Sequence, residues 1–229
     1  MGVRPLGWSK QLLTETQDLC QRSEKEMLML SRWVRTWYGR LLQPFLLLLA
    51  DFGVTPTMLT ISSLLLILMS GFVLSQNHMI IGGIFLLLGG LLDGIDGELA
   101  RATNRTTKFG AFLDSICDHS GDFALSLGLL WLYLNNRASK EVVLIFIALF
   151  GSMLGSQVRS RAGMVGIETK EVGLVTRFER ILILIVGLFV HYVTIALWIL
   201  AMLNTIAALQ RIIYVLRVSL LQKGASMLE

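Results

Sequence analysis

The sequence has few of the residues that a loop-rich soluble fold needs. Only 16% of its 229 residues are charged and only three are proline, whereas 54% are hydrophobic and the mean hydropathy is +0.68. The two cysteines, Cys20 and Cys117, are expected to be unpaired, and no cluster of cysteine and histidine indicates a soft-metal site. We expect no cleavable signal peptide, because residues 1–26 are polar and contain no apolar stretch.

Apolar runs recur along the chain and predict an all-α integral membrane protein. The expected architecture is six transmembrane helices preceded by an interfacial amphipathic helix, because lipid leaves helices as the only sensible spanning structure here. The expected spans are residues 56–75, 78–101, 109–134, 140–163, 173–191 and 193–217. The expected domains are a polar cytoplasmic tail (1–26), the interfacial helix (27–52), the membrane domain (53–220) and a cytoplasmic C-terminal tail (221–229). A seventh span through residues 41–50 is the alternative for the interfacial segment.

The distribution of basic residues predicts the orientation. Of the 20 lysines and arginines, all but Arg137 and Lys140 fall on one side of the six expected spans. Because short cytoplasmic loops carry an excess of lysine and arginine, both termini and the neighbouring helix ends are expected at the cytoplasmic face of the cell membrane. The net charge of +4 then suits membrane lipids or anionic substrates, with no specific indication of nucleic acid.

Four aspartates lie within this hydrophobic sequence at helical spacing: Asp93, Asp96, Asp114 and Asp118. An ionisable side chain at the centre of a bilayer costs roughly 2.5–3.5 kcal/mol on insertion scales, so we expect bound cations to neutralise these four. Each pair shares one face of its helix, and the short loop between the helices sets the two faces side by side. Carboxylates favour Mg²⁺ or Mn²⁺, and four are enough for two bridged ions that assist phosphoryl transfer. From the residues alone, buried ion pairs with Arg101 and a divalent-cation transporter stay open.

The complete string around these aspartates resembles a family signature. It reads Asp93-x2-Asp96-Gly97-x2-Ala100-Arg101-x8-Gly110-x3-Asp114-x3-Asp118. This is similar to the signature of the CDP-alcohol phosphotransferases, integral membrane enzymes of phospholipid synthesis, and every fixed position matches. The expected topology is also similar to that family, over roughly residues 28–220.

The resemblance implies a reaction and a set of site residues. A substituted phosphate would pass from a CDP-linked lipid donor to an acceptor hydroxyl, with release of CMP. The four aspartates would hold two Mg²⁺ ions (Mn²⁺ is possible), and Asp118 would also be the general base. The CDP moiety would be contacted by Thr57, Thr60, Gly97, Ala100, Arg101, Thr107 and Gly110. Taken alone, Arg101 can pair either with phosphate or with an aspartate. The family also suggests a homodimer.

Three arginines indicate a phosphorylated acceptor. Arg159, Arg180 and Arg211 lie in helical segments with apolar neighbours, where a guanidinium needs an anionic partner such as phosphate. We interpret Arg177 and Arg217 instead as positive-inside residues that contact lipid headgroups. The strings around the first three arginines resemble the phosphatidylinositol-phosphate synthase branch, in which three basic residues bind inositol phosphate.

The specific prediction is Mg²⁺-dependent transfer of a phosphatidyl group from CDP-diacylglycerol, or an ether analogue, to inositol 1-phosphate. Three positions depart from the residues common in the family: Thr57, His119 and Arg159. The alternatives are therefore glycerol 3-phosphate or free inositol as acceptor, or CDP-inositol as donor. A cation transporter and a non-catalytic scaffold that binds CDP-lipid are remote alternatives. Asp122, one turn beyond Asp118, is expected to orient a ligand or to pair with a neighbouring helix.

Overall fold

Six α-helices make up the described part of the protein and confirm the predicted all-α class. The computed structural model describes Leu48, Ala50, residues 52–167 and residues 176–226, with side chains as far as residue 220. The helices are α1 (Pro56–Ser75), α2 (Met79–Ala102), α3 (Lys108–Asn135), α4 (Ser139–Met164), α5 (Arg177–Phe189) and α6 (Val193–Ser226). They belong to one compact unit, Val54–Glu229. The predicted N-terminal tail and nearly all of the predicted interfacial helix (27–52) lie outside the described residues, as does Cys20.

Threonine caps fix where three of the helices begin. Thr55, Thr107 and Thr176 precede α1, α3 and α5, and each side chain accepts a hydrogen bond from a backbone N–H of the first turn. At α5 the cap is reciprocal, because the Glu179 carboxylate also accepts from the Thr176 N–H at 2.7 Å. The start of α5 is therefore held firmly, which matters for the arginine that follows Thr176.

Short turns join consecutive helices at one end of the bundle. The α1–α2, α3–α4 and α5–α6 connections each have three residues, and each contains one non-glycine residue with positive φ. These residues are Asn77 (66°), Arg137 (53°) and His191 (60°). The left-handed conformation reverses the chain within a few residues, so the helices of each pair run antiparallel and side by side.

Four of the six described helices are long and apolar enough to cross a membrane: α1, α2, α4 and the Val193–Leu220 part of α6. The expectation of six spans is thus met in part. Helix α3 has 28 residues, but Asp114, Asp118 and Asp122 interrupt its apolar sequence, and α5 has only 13 residues. A helix of that length rises about 20 Å, less than the roughly 30 Å of a hydrocarbon core. The expected fifth span began at residue 173, and residues 168–175 lie outside the described part of the chain.

Small residues bring the backbones of α1, α2 and α3 close together. A Cβ on Gly128 of α3 would lie 2.1 Å from the Gly71 carbonyl oxygen of α1, so neither helix leaves room for a side chain at this crossing. Ser63 and Ser70 of α1 each donate a 2.8 Å hydrogen bond to a glycine carbonyl of α2. Helix α5 packs on α2 and α6, and α4 packs on α3 and α6. Ion pairs of Arg177 with Asp93 and Asp118 connect the start of α5 to the aspartate-bearing parts of α2 and α3.

Candidate active site

Three of the four predicted metal ligands converge. Asp93 lies near the C-terminal end of α2, while Asp114 and Asp118 lie one turn apart on α3. One carboxylate oxygen from each of the three lies within 4.8 Å of the others. We call these three residues the acid cluster. Its oxygens are hard ligands close enough together to coordinate one divalent cation, so the residues fit a Mg²⁺-type metal.

Asp96, the fourth predicted ligand, has a different environment. It is 6% exposed, and its Oδ2 lies 2.5 Å from the Thr60 hydroxyl of α1. The same hydroxyl lies 3.1 Å from the Pro56 carbonyl, so its single proton is available to only one of the two oxygens. Asp96 interacts electrostatically with Asp93 and Asp114 and therefore adjoins the acid cluster, but its oxygens do not join it. Its role as a ligand stays a prediction.

The interpretation of Arg177 as a lipid-facing residue is wrong. Its side chain is 17% exposed and turns towards the acids, where Nη1 donates to Asp93 Oδ2 at 2.7 Å. Nη1 also forms an ion pair with Asp118 Oδ1, and Nε lies 3.8 Å from Asp122 Oδ1. Neither Asp118 Oδ1 nor Arg177 Nε has a well-aligned hydrogen bond among the described residues, so these two contacts are ionic. The Thr176–Glu179 capping box fixes the start of α5, and the packing of this helix turns its first side chain towards the acids.

Asp122 extends the polar network from α3 to α4 and α5. Ser152 of α4 donates to Asp122 Oδ2 at 3.3 Å and accepts a hydrogen bond from Arg180 Nη1. The contact supports the expectation that Asp122 pairs with neighbouring helices. Sequence reasoning missed Ser152, although a hydroxyl midway along an apolar helix was a signal that could have found it. Through this serine, the position of Arg180 depends on Asp122.

The three predicted acceptor arginines come from three different helices. Arg180 and Arg211 are partly buried and Arg159 is exposed, and each of the buried pair interacts electrostatically with Arg159. Arg211 Nη1 donates to the Gly155 carbonyl at 3.1 Å, and a Cβ on Gly155 would lie 3.0 Å from that same nitrogen. We call Arg159, Arg180 and Arg211 the arginine cluster. Like charges this close repel one another, so the cluster favours an anionic ligand.

The predicted CDP contacts lie along the ends of α1, α2 and α3. Thr57 and Thr107 are exposed, and Thr107 caps α3 by accepting from the Gly110 N–H at 2.9 Å. Arg101 is half exposed and pairs with Glu98 at 2.8 Å. The partners expected for it were phosphate or an aspartate, so this pairing was not predicted. Gly97 and Ala100 are partly exposed beside Arg101. Thr60 is the exception, because it is buried against Asp96.

A cavity of about 80 Å³ lies between α3, α4, α5 and α6. Its polar lining consists of Asp122, Ser126, Ser152, Arg177, Arg180 and Asn204, and leucines, isoleucines and one alanine form the rest. A buried water needs roughly 10–15 Å³ of such space, so the cavity has room for several waters. It connects the network beside the acid cluster with the interior face of Arg180.

Apolar helices, a carboxylate cluster suited to divalent cations and adjacent arginines are typical of membrane-embedded proteins that bind metal ions and phosphate groups. Residues 53–224 match the CDP-alcohol phosphatidyltransferase family, and the chain belongs to it. The recognition made from the aspartate string is confirmed. The protein is thus an integral membrane transferase of phospholipid synthesis, from a family that depends on divalent metal.

Individual relatives refine this picture. The chain is 36% identical over 164 residues to the archaetidylinositol phosphate synthase of Pyrococcus horikoshii, covering 72% of this chain and 85% of the relative. The crystal structure of the Mycobacterium tuberculosis phosphatidylinositol phosphate synthase with CDP-DAG bound is similar at a TM-score of 0.70 and 28% identity, over 77% of this chain and 94% of that one. The same enzyme in complex with manganese and citrate gives a TM-score of 0.69 at 28% identity, over 76% and 88%.

Proposed function

We propose that the protein transfers a phosphatidyl group, or its ether analogue, from a CDP-activated diradyl lipid to inositol 1-phosphate and releases CMP in a Mg²⁺-dependent reaction. The observation that carries this proposal is the adjacency of the acid cluster and the arginine cluster. The first suits a pyrophosphate donor with its cations and the second suits a phosphorylated acceptor. The names of the relatives support inositol phosphate as that acceptor.

Asp93, Asp114 and Asp118, with Asp96 beside them, would hold the cations, and two ions remain our expectation. When bound, they supply charge neutralisation for the phosphate oxygens of the donor. Asp118 accepts the proton of the acceptor hydroxyl while the hydroxyl oxygen bonds to the phosphorus next to the lipid. The bond from that phosphorus to the bridging oxygen breaks, and CMP leaves with the electron pair. Without a bound cation, the contact with Arg177 holds the Asp118 carboxylate in a fixed direction.

Donor binding is assigned to the ends of α1 to α3. Thr57, Arg101 and Thr107 are exposed there and can reach the nucleotide or its phosphates. Gly97, Ala100 and Gly110 have small side chains or none, which leaves space close to the backbone. At Gly110, for example, an added Cβ would approach only the Thr107 hydroxyl. Thr60 acts through Asp96, whose carboxylate it orients.

Acceptor binding is assigned to the arginine cluster. Guanidinium groups match phosphate oxygens in geometry, and Arg180 and Arg211 are already held by Ser152 and by the Gly155 carbonyl. Preorganised side chains lose less entropy on binding, so these two are expected to contribute most of the affinity.

The direct test measures CMP release in detergent micelles with CDP-diacylglycerol, inositol 1-phosphate and Mg²⁺, and identifies the lipid product by mass. We expect turnover that EDTA abolishes and excess Mg²⁺ restores. Activity no higher than that of Asp118→Asn with every acceptor would overturn the proposal. Parallel reactions with glycerol 3-phosphate, free inositol, CDP-inositol and a CDP-linked diether lipid distinguish the remaining substrates.

We also propose that the protein lies in the cell membrane with the site at the cytoplasmic face and that it forms a homodimer. The excess of lysine and arginine on that side supports the orientation. Single cysteines at Arg105 and Arg137, introduced in a variant without Cys20 and Cys117, should react with an impermeant maleimide from opposite sides of the membrane. Chemical crosslinking in the native membrane tests the dimer.

A further inference from the structure

One guanidinium group lies among the carboxylates proposed to hold metal. Arg177 Nη1 contacts Asp93 at 2.7 Å and forms an ion pair with Asp118. The side chain extends from the first residue of α5, where the Thr176–Glu179 capping box fixes the backbone. Sequence reasoning assigned it only to the membrane surface. Its burial and its contacts with three acids show that it belongs to the site.

Arg177 and a divalent cation draw on the same ligands. Two of the three acid-cluster residues, Asp93 and Asp118, are partners of Arg177, and the third, Asp114, interacts with it electrostatically. A carboxylate oxygen that accepts a charge-assisted hydrogen bond has less negative charge and fewer free lone pairs for a metal. Binding of the guanidinium and binding of the cation to these two residues therefore oppose each other.

Arg177 has a second set of partners outside the acid cluster. Its Nε lies 3.8 Å from Asp122, and its side chain lines the cavity that Ser152 and Arg180 also line. A rotation about the side-chain bonds can therefore move the guanidinium from Asp93 and Asp118 towards Asp122, along the polar part of the cavity lining. A guanidinium that moves towards Asp122 also moves towards Arg180 of the arginine cluster, which lines the same cavity.

We propose that Arg177 is the resident counter-cation of the acid cluster, which pairs with Asp93 and Asp118 and yields them when a divalent cation binds. The released guanidinium then faces Asp122 and the phosphate-binding side of the cavity. Charge in the acid cluster is thereby neutralised in both states, and metal binding adds a positive group near the acceptor site. This inference rests on the proposed metal role of the acid cluster.

The first experiment measures Mn²⁺ binding to the purified full chain by electron paramagnetic resonance, without lipid or acceptor. In Arg177→Gln the competing cation is gone, so we expect the Kd for Mn²⁺ to fall by about tenfold, the equivalent of one charge-assisted hydrogen bond. Arg180→Gln is the matched control, because it removes a nearby positive charge whose hydrogen bond goes to Ser152. Its gain in affinity should be clearly smaller.

Two results would overturn the inference while leaving the metal site intact. One is an unchanged or weaker Mn²⁺ affinity in Arg177→Gln. The other is an equal gain in Mn²⁺ affinity in Arg177→Gln and Arg180→Gln. In both cases, loss of Mn²⁺ binding in Asp114→Asn shows that the metal site is intact. If the unsubstituted chain binds no Mn²⁺, the proposed metal role fails and the inference fails with it. The two failures are thus distinguishable.

A second experiment needs no variant, in case Arg177→Gln does not fold. Phenylglyoxal modifies accessible arginines, and peptide mass spectrometry reports each site separately. We expect Mn²⁺ to raise modification of Arg177 several-fold over its level in EDTA, with exposed Arg161 as the internal reference. Equal or lower modification of Arg177 in Mn²⁺ would mean that the guanidinium stays on Asp93 and Asp118, and would overturn the proposal.

Discussion

The acid cluster and the arginine cluster adjoin each other, yet the chain builds them in opposite ways. The acids come from two consecutive helices, within a stretch of sequence from Asp93 to Asp118. The arginines come from α4, α5 and α6 and are spread from Arg159 to Arg211. A cluster from neighbouring helices needs only periodicity and a short loop, whereas a cluster from three helices needs the packing of the whole bundle.

The two clusters also differ in how they are neutralised. The acids hold Arg177 within the cluster, while Arg180 and Arg211 of the arginine cluster are held by neutral oxygens of Ser152 and Gly155. Carboxylates so close together need a counter-cation. A guanidinium that donates to a neutral oxygen, as Arg180 does to Ser152, still carries its full positive charge. The comparison predicts that the acid cluster governs turnover and that the arginine cluster governs acceptor affinity.

The largest expected effect is that of Asp118→Asn. Loss of the proposed base and of one ligand should lower kcat for CMP release by at least about 10²- to 10⁴-fold, the range typical of general acid–base catalysis. Glu141→Gln is the control, because this acid lies in the first turn of α4, away from the acid cluster, and accepts a hydrogen bond from Thr194. A change confined to KM in Asp118→Asn would contradict the assignment.

Arg211→Gln tests the other half of the comparison. Removing one charge-assisted contact with phosphate should raise the KM for inositol 1-phosphate by about 10- to 100-fold, with a much smaller change for the donor. Arg217→Gln, on the exposed part of the same helix, should leave both constants near their original values. Equal effects of Arg211→Gln on the two substrates would argue against an acceptor site.

Ser152→Ala should have an intermediate effect on the same constant. Without the hydroxyl, Arg180 loses an acceptor and Asp122 loses a donor, so the KM for the acceptor should rise by about 2- to 10-fold. Exposed Ser160 on the same helix provides the control as Ser160→Ala. If kcat fell while the acceptor KM stayed constant, Ser152 would belong with the acid cluster instead.

The smallest effect is expected at Gly155. The added methyl group of Gly155→Ala would lie 3.0 Å from Arg211 Nη1, so the guanidinium must shift and the acceptor KM should rise about 2- to 3-fold, less than for a lost hydrogen bond. Gly163→Ala is matched, because a Cβ there meets no atom within 4 Å. Indistinguishable kinetics for the two variants would mean that acceptor binding does not depend on the position of Arg211 beside Gly155.

Sequence reasoning predicted the three residues of the acid cluster better than it predicted the contacts of the side chains around them. The i, i+4 spacing of Asp114 and Asp118 determines that they share a face of α3, and the five-residue loop brings Asp93 alongside. The same reasoning placed Asp96 with them, but its contact with Thr60 depends on how α1 packs against α2. It also left Arg101 between phosphate and aspartate, while the structure pairs it with Glu98 one turn away.

Arg177 illustrates the limit most clearly. From sequence alone, a basic residue near the expected membrane surface indicates the cytoplasmic side of the membrane, and Arg177 was interpreted in that way. The side chain nevertheless turns inwards, because α5 packs on α2 and brings its first turn beside the carboxylates. Ser152 was missed for the same reason, since only the packing of α4 on α3 gives its hydroxyl an aspartate to contact.

The amino-acid sequence by itself determined the helical membrane class, the family and the convergence of three aspartates from adjacent helices. All of these depend on local composition and on spacings within a few turns, which a helix converts directly into geometry. Tertiary structure alone decided which cation neutralises the aspartates and how the distant arginines are held. Those contacts join residues up to 84 positions apart, and only the close packing of small residues between helices brings them within hydrogen-bonding distance.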